Sequence, residues 1–181
     1  MKKAIIIFAL LIMGNNVFSQ KMITRNGKIT FEASMPSFEE IKGINSNVSC
    51  ILDEATGDFV ALALIKSFKF KSPLMEEHFN ENYMESSLFP KATFKGKISN
   101  FDAKKLSSTK TTFDLEGDLT IHGVTKKIKT KINLTLTSGK VLAIAGFDIK
   151  PQEYGIEIPN LVKDKIAKNI DTAINFTLEP Q

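Results

Sequence analysis

Residues 115–124 read LEGDLTIHGV, and the reading of the fold starts from their alternation. Leu115, Gly117, Leu119, Ile121 and Gly123 share one parity, and Glu116, Asp118, Thr120 and His122 share the other. Successive side chains point to opposite faces of a strand, so the segment reads as a strand with one dry face and one wet face. Glycine at 117 and 123 leaves room on the dry side and permits sharp local bending. A half-buried strand with space beside its inner face suits a curved sheet wrapped around an interior. The segment bends at Gly123 and runs on into a second alternating strand that carries Ile128, Ile132, Leu134 and Leu136.

Further strands flank this one. Ile29, Phe31 and Ala33 alternate with polar neighbours, as do Ile44, Val48, Cys50 and Leu52. After the turn DEATG, residues 53–57, the run Asp58–Lys66 is apolar on both parities; its length and flanking turn favour a strand over a buried helix. Ser67–Lys71 extends it, with Phe68 and Phe70 on one face. Phe94, Gly96 and Ile98 form another. Ser138-Gly139-Lys140 is a tight hairpin turn into Val141–Ile149, and Ile170, Thr172, Ile174, Phe176 and Leu178 form the last strand. Phe38–Lys42 is expected to make one helical turn. Pro73 opens a short helix carrying Leu74, His78 and Tyr83, and Asn160–Lys168 is expected to form a second, capped by Asn160. The fold class is all-β with two short helices and about eight antiparallel strands. A closed barrel and a two-sheet sandwich share this signature.

The N-terminus has a different character. Lys2 and Lys3 precede the apolar run Ala4–Met13, and Val17-Phe18-Ser19 supplies tolerated cleavage residues. This describes a secretory signal peptide over residues 1–19, cut after Ser19, with a single domain over residues 20–181. The apolar run is shorter than the roughly 20 residues that span a bilayer. The expected location is the periplasm or the secreted fraction, with no transmembrane segment in the mature chain. The chain has one cysteine, Cys50, so no internal disulfide is available. Cys50 shares parity with Val48 and is expected to be a buried thiol. A net charge of +4, which includes Lys2 and Lys3, is too weak to indicate nucleic acid. Lys126, Lys127, Lys129 and Lys131 stand out as a solvated strand face or the rim of an anionic ligand site.

Groups for catalysis are sparse. There are two histidines, His78 and His122, with His122 expected on the wet face of its strand. HExxH, cysteine pairs, Gly-rich phosphate loops and GxSxG are all missing. A metal-dependent or hydrolase-like enzyme would require His78 to meet further polar groups through folding. No cofactor is implied. Aromatic bulk is plentiful, with 14 Phe and 2 Tyr.

The segment GDLTIHGVTKKI, residues 117–128, resembles the central signature of the YceI-like family. MEEHFNENYMESSLFPKATF, residues 75–94, is similar to the family's His-containing helix, aromatic-proline turn and strand, although Glu76-Glu77 stands where the family often has Arg-Asp. FDIKPQEYGIEIPNLVKDKIA, residues 147–167, is also family-like. The resemblance implies a secreted lipocalin-like barrel that binds a long isoprenoid lipid, of polyprenyl phosphate or quinone type, in an elongated apolar cavity. A filled stress-related or structural barrel is the alternative, and a homodimer is possible. On this reading the ligand-contacting candidates are Leu119 and Ile121 of the organising strand and Phe70, Phe94, Ile98 and Phe147 of its neighbours. His78 and Tyr83 of the helical insert complete the set.

Overall fold

The computed structural model describes residues 21–35 and 38–181. The expected signal peptide, residues 1–19, lies outside these, as do Gln20, Pro36 and Ser37. Eight strands follow one another: β1 Lys21–Ser34, β2 Lys42–Asp53, β3 Asp58–Leu64, β4 Lys91–Ile98, β5 Thr111–Ile121, β6 Val124–Thr137, β7 Lys140–Ile149 and β8 Ile166–Pro180. Each pairs antiparallel with the next, and β8 pairs with β1, closing an up-and-down barrel. Closure leaves no unpaired sheet edge, which a sandwich would have. No helix among the described residues is long and apolar enough to cross a membrane.

The alternation read from the sequence fixes the inner face. Leu115, Gly117, Leu119 and Ile121 of β5 are buried, as are Ile170, Thr172, Ile174, Phe176 and Leu178 of β8. In β1 a register shift between Thr24 and Gly27 moves the inward parity from Met22 to Gly27, Ile29, Phe31 and Ala33. In β3, Phe59 and Ala63 turn inward, while Val60 and Leu64 stay exposed on the outer face.

The organising strand and the next one form a tight hairpin, with His122 and Gly123 in its turn and not in the strand. β5 ends at Ile121, β6 begins at Val124, and these two residues pair across His122-Gly123. Both turn residues have positive φ, 50° and 75°, as a two-residue turn matched to strand twist requires. Ser138-Gly139 repeats the arrangement, with φ of 51° and 75°. The room expected beside Gly117 is also occupied. A Cβ there would sit 2.7 Å from Cζ of Phe94, and one on Gly96 would sit 2.4 Å from the same atom. The two glycines let the Phe94 ring lie flat on the wall.

Three local expectations are corrected. β3 stops at Leu64 and turns through a 3₁₀ helix, Ile65–Ser67, after which Lys69 makes a single bridge to Ile44. Phe38–Lys42 forms no helical turn, since Ile41 donates its N–H to the Ser34 hydroxyl and Lys42 already begins β2. Asn160–Lys165 forms turns, with no helix, and β8 starts at Ile166. The other helical insert forms as expected: α1, Pro73–His78, continues as a π-helical turn, Phe79–Tyr83. The lysine run is answered across the hairpin. Lys129 lies 2.9 Å from Glu116 and Lys127 3.8 Å from Asp118, and Lys131 pairs with Asp114. It is therefore a solvated, ion-paired outer face.

Candidate ligand-binding cavity

Strand order places the described parts of the long connections after β1, β3 and β7 at one end of the barrel, together with the His122-Gly123 turn. That end holds a cavity of about 360 Å³. Its walls are the upper inward residues of the strands: Ile29, Phe31 and Ala33 of β1, Leu119 and Ile121 of β5, and Phe147 and Ile149 of β7. The helical insert adds Met75, His78, Phe79 and Tyr83, and the last connection adds Ile156, Ile158 and Val162.

Four rings build one side. Phe31, Phe68, Phe70 and Phe79 lie with centroids 5.0–5.7 Å apart in five pairs, packing the insert against β1. Four of the pairs are tilted or edge-on and Phe31–Phe79 is stacked, all favourable aromatic geometries. Ion pairing of Lys69 with Glu76, at 2.6 Å, ties the same insert to the strand bridge. The cavity wall carries little polarity. Thr172 is buried and its hydroxyl donates to the Ile170 carbonyl at 3.3 Å. Burial pushes the Tyr83 hydroxyl above its ordinary pKa. His78 and Lys165, both exposed, supply the mouth's basic groups. An interior of this kind excludes a bare charge, which would lose its hydration without a partner.

Six of the eight sequence candidates come together here: Phe70, His78, Tyr83, Leu119, Ile121 and Phe147 line the cavity. Phe94 and Ile98 do not; they lie in the solid half of the barrel, 9% and 1% exposed. Phe31, Phe68 and Phe79 were missed as contacts, although Phe31 and Phe68 sit on the expected inward parity. Ile156, Ile158 and Val162 carry no periodic signal, because an irregular connection has none.

His122 is not on the outer strand face. Its side chain is 11% exposed, its Nε2 lies 2.8 Å from Glu85 Oε2 and its Nδ1 3.3 Å from the Tyr154 carbonyl. Its ring packs on Phe89 with centroids 4.3 Å apart. The histidine thus fastens three of the connections around the mouth. Cys50 is buried, and burial pushes its thiol far above the ordinary range, which makes it inert. Among the described residues no group of three or more His, Cys, Asp and Glu is placed to hold a metal ion.

An antiparallel eight-stranded barrel with an apolar cavity at one end is the architecture of lipocalin-like binding barrels. The model of the YceI-like domain matches residues 21–179, and the chain belongs to that family. A polyisoprenoid binding domain from Saccharophagus degradans, implicated in plant cell wall breakdown, is similar in structure. It shows 15% identity and a TM-score of 0.76, over 89% of this chain and 98% of that one. Burkholderia cenocepacia BcnA is 14% identical with a TM-score of 0.69, over 84% and 95%. The Campylobacter jejuni YceI protein is 16% identical with a TM-score of 0.64, over 81% and 88%. At these identities the likeness establishes the fold. No curated protein matches the chain significantly.

Proposed function

We propose that this protein is an exported, non-enzymatic carrier that holds an isoprenoid-type lipid, of polyprenyl phosphate or quinone type, with its tail in the barrel. The observation that carries the reading is the cavity of about 360 Å³ with an almost wholly apolar wall. Its volume falls in the range of small-molecule sites, about 300–1,000 Å³, and its wall suits a hydrocarbon. The polyisoprenoid-binding description of the Saccharophagus degradans domain supports the same class of ligand. A dozen buried carbons would contribute on the order of 10 kcal/mol before the costs of association are subtracted. An exposed lysine such as Lys165 would add about 1 kcal/mol or less to a phosphate headgroup. The tail therefore sets affinity and the mouth tunes selectivity. The apolar run Ala4–Met13 behind Lys2 and Lys3 supports export, with removal of residues 1–19.

Native mass spectrometry of protein purified from its own host tests this directly. The expected spectrum begins at Gln20 and carries an added mass that organic solvent extracts. A ligand-free mass, with no uptake of added farnesol, would instead favour a structural barrel without a ligand.

A further inference from the structure

The cavity ends at the same level on strand after strand. Ala63 lines it on β3, but Ala61 and Phe59 do not; Ala92 lines it on β4, but Phe94 does not. Thr172 lines it on β8, but Ile174 and Phe176 do not. Below this level the barrel is solid. Phe59 stands between the other two rings, with centroids 6.4 Å from Phe94 and 6.3 Å from Phe176. Glycines seat these rings. Phe94 lies on Gly96 and Gly117, and Phe176 lies on Gly27, where a Cβ would come within 2.5 Å of its ring. Beneath them Leu52, Ile98, Ile132, Leu134 and Leu178 are at most 1% exposed.

We infer that Phe59, Phe94 and Phe176 form a length stop that fixes how much of an isoprenoid tail the barrel accepts. This rests on the lipid-binding reading above. Ile29, Phe31 and Ala33 line the cavity on β1, a depth of about 13 Å at about 3.3 Å per residue. That is between two and three isoprene units. The barrel therefore buries only these units of a prenyl tail, and the added units of a longer chain remain outside the buried space. Phe94 is the specificity-determining residue within reach of the cavity, since it pairs with Leu119 in the ladder and follows Ala92 on the inner face.

Titration with geraniol, farnesol and geranylgeraniol tests the stop. Affinity of the unaltered protein should rise from geraniol to farnesol and then level, with geranylgeraniol within about threefold of farnesol, because further methylenes gain no burial. In Phe94→Ala the space beneath opens, and geranylgeraniol should bind at least about tenfold more tightly than farnesol. Phe94→Leu and Phe176→Leu, milder losses of the same rings, should move the plateau in the same direction if Phe94→Ala folds poorly. A plateau that stays at farnesol in all three variants, or affinity that climbs through geranylgeraniol in the unaltered protein, would overturn the stop while leaving lipid binding intact. Failure of every alcohol to bind would overturn the lipid-binding reading itself.

Discussion

His122 Nε2 lies 2.8 Å from the carboxylate of Glu85, residues 37 apart in sequence, and this contact joins the β5–β6 turn to the segment that follows the helical insert. The Tyr154 carbonyl meets the other ring nitrogen, so one side chain fastens two of the three long connections at the mouth. Glu85 is 47% exposed, which limits what this contact alone contributes. His122→Ala should destabilise the fold by about 1–3 kcal/mol, since it loses both polar contacts and the packing on Phe89. In a double-mutant cycle with Glu85→Ala, measured by urea unfolding, the coupling between the pair should be only about 0.2–1 kcal/mol. A coupling as large as the whole His122→Ala effect would show that the Tyr154 and Phe89 contacts contribute nothing.

The two glycine turns provide a matched comparison. Gly123 and Gly139 both have φ of 75°, but a Cβ on Gly123 would lie 2.8 Å from the Phe89 ring, whereas nothing lies within 4 Å of one on Gly139. Gly139→Ala should cost about 1–2 kcal/mol, the penalty of left-handed backbone for a residue with a side chain. Gly123→Ala should cost more, because the same strain is joined by a displaced ring. Equal melting temperatures for the two variants would contradict the packing of Phe89 on the turn.

Ile121 lines open space, whereas Leu134, at 0% exposure, sits in the solid half. Ile121→Phe should leave the melting temperature of the ligand-free protein nearly unchanged and weaken farnesol binding by about tenfold or more, as buried methylenes are displaced. Leu134→Phe should cost about 1–3 kcal/mol by overpacking. Thermal unfolding and titration of both variants separate a cavity from a filled core. A large fall in melting temperature for Ile121→Phe would place it in packed core.

Burial raises the Cys50 thiol, so above about pH 9 the unfolded chain releases a proton that the folded protein keeps. The unfolded state then binds fewer protons, and stability falls as pH rises. This group should contribute a slope of about −1.4 kcal/mol per pH unit above pH 9. Cys50→Ala should remove that part of the slope, measured by urea unfolding between pH 8 and pH 11 as a difference from the unaltered protein. Parallel pH profiles would contradict it.

The strand content was legible because the inner face of each strand is set by a period of two, and Leu115–Ile121 and Ile170–Leu178 keep that period without interruption. The barrel itself was not, since a sandwich carries the same alternation and only the pairing of β8 with β1 separates them. Gly123 was misread because parity counts a turn glycine as if it were a strand residue; the signal for a hairpin was a two-residue step between alternating runs. Gly117 was read as open space, and its use is visible only once Phe94 is known to lie across it. Asn160, Val162 and Ile166 fit a cap and one apolar side of a helix, yet Asn160–Lys165 forms short turns and Ile166 opens β8. Six cavity residues were found from parity and resemblance together, while Phe94 and Ile98 were misplaced for one reason. Inward orientation is a property of the strand, but depth along the barrel is a property of the assembled fold.

The central claim is that an apolar chain occupies the mouth half of the barrel interior. Filtered nuclear Overhauser measurements on isotope-labelled protein with unlabelled farnesol test it most directly. The prenyl methyls should contact Leu119, Ile121, Ala63 and Phe147, and neither Leu134 nor Leu178. Contacts confined to the exposed apolar residues of the outer face, Ile51, Val60 and Leu64, would place the lipid on the outside of the sheet and contradict it.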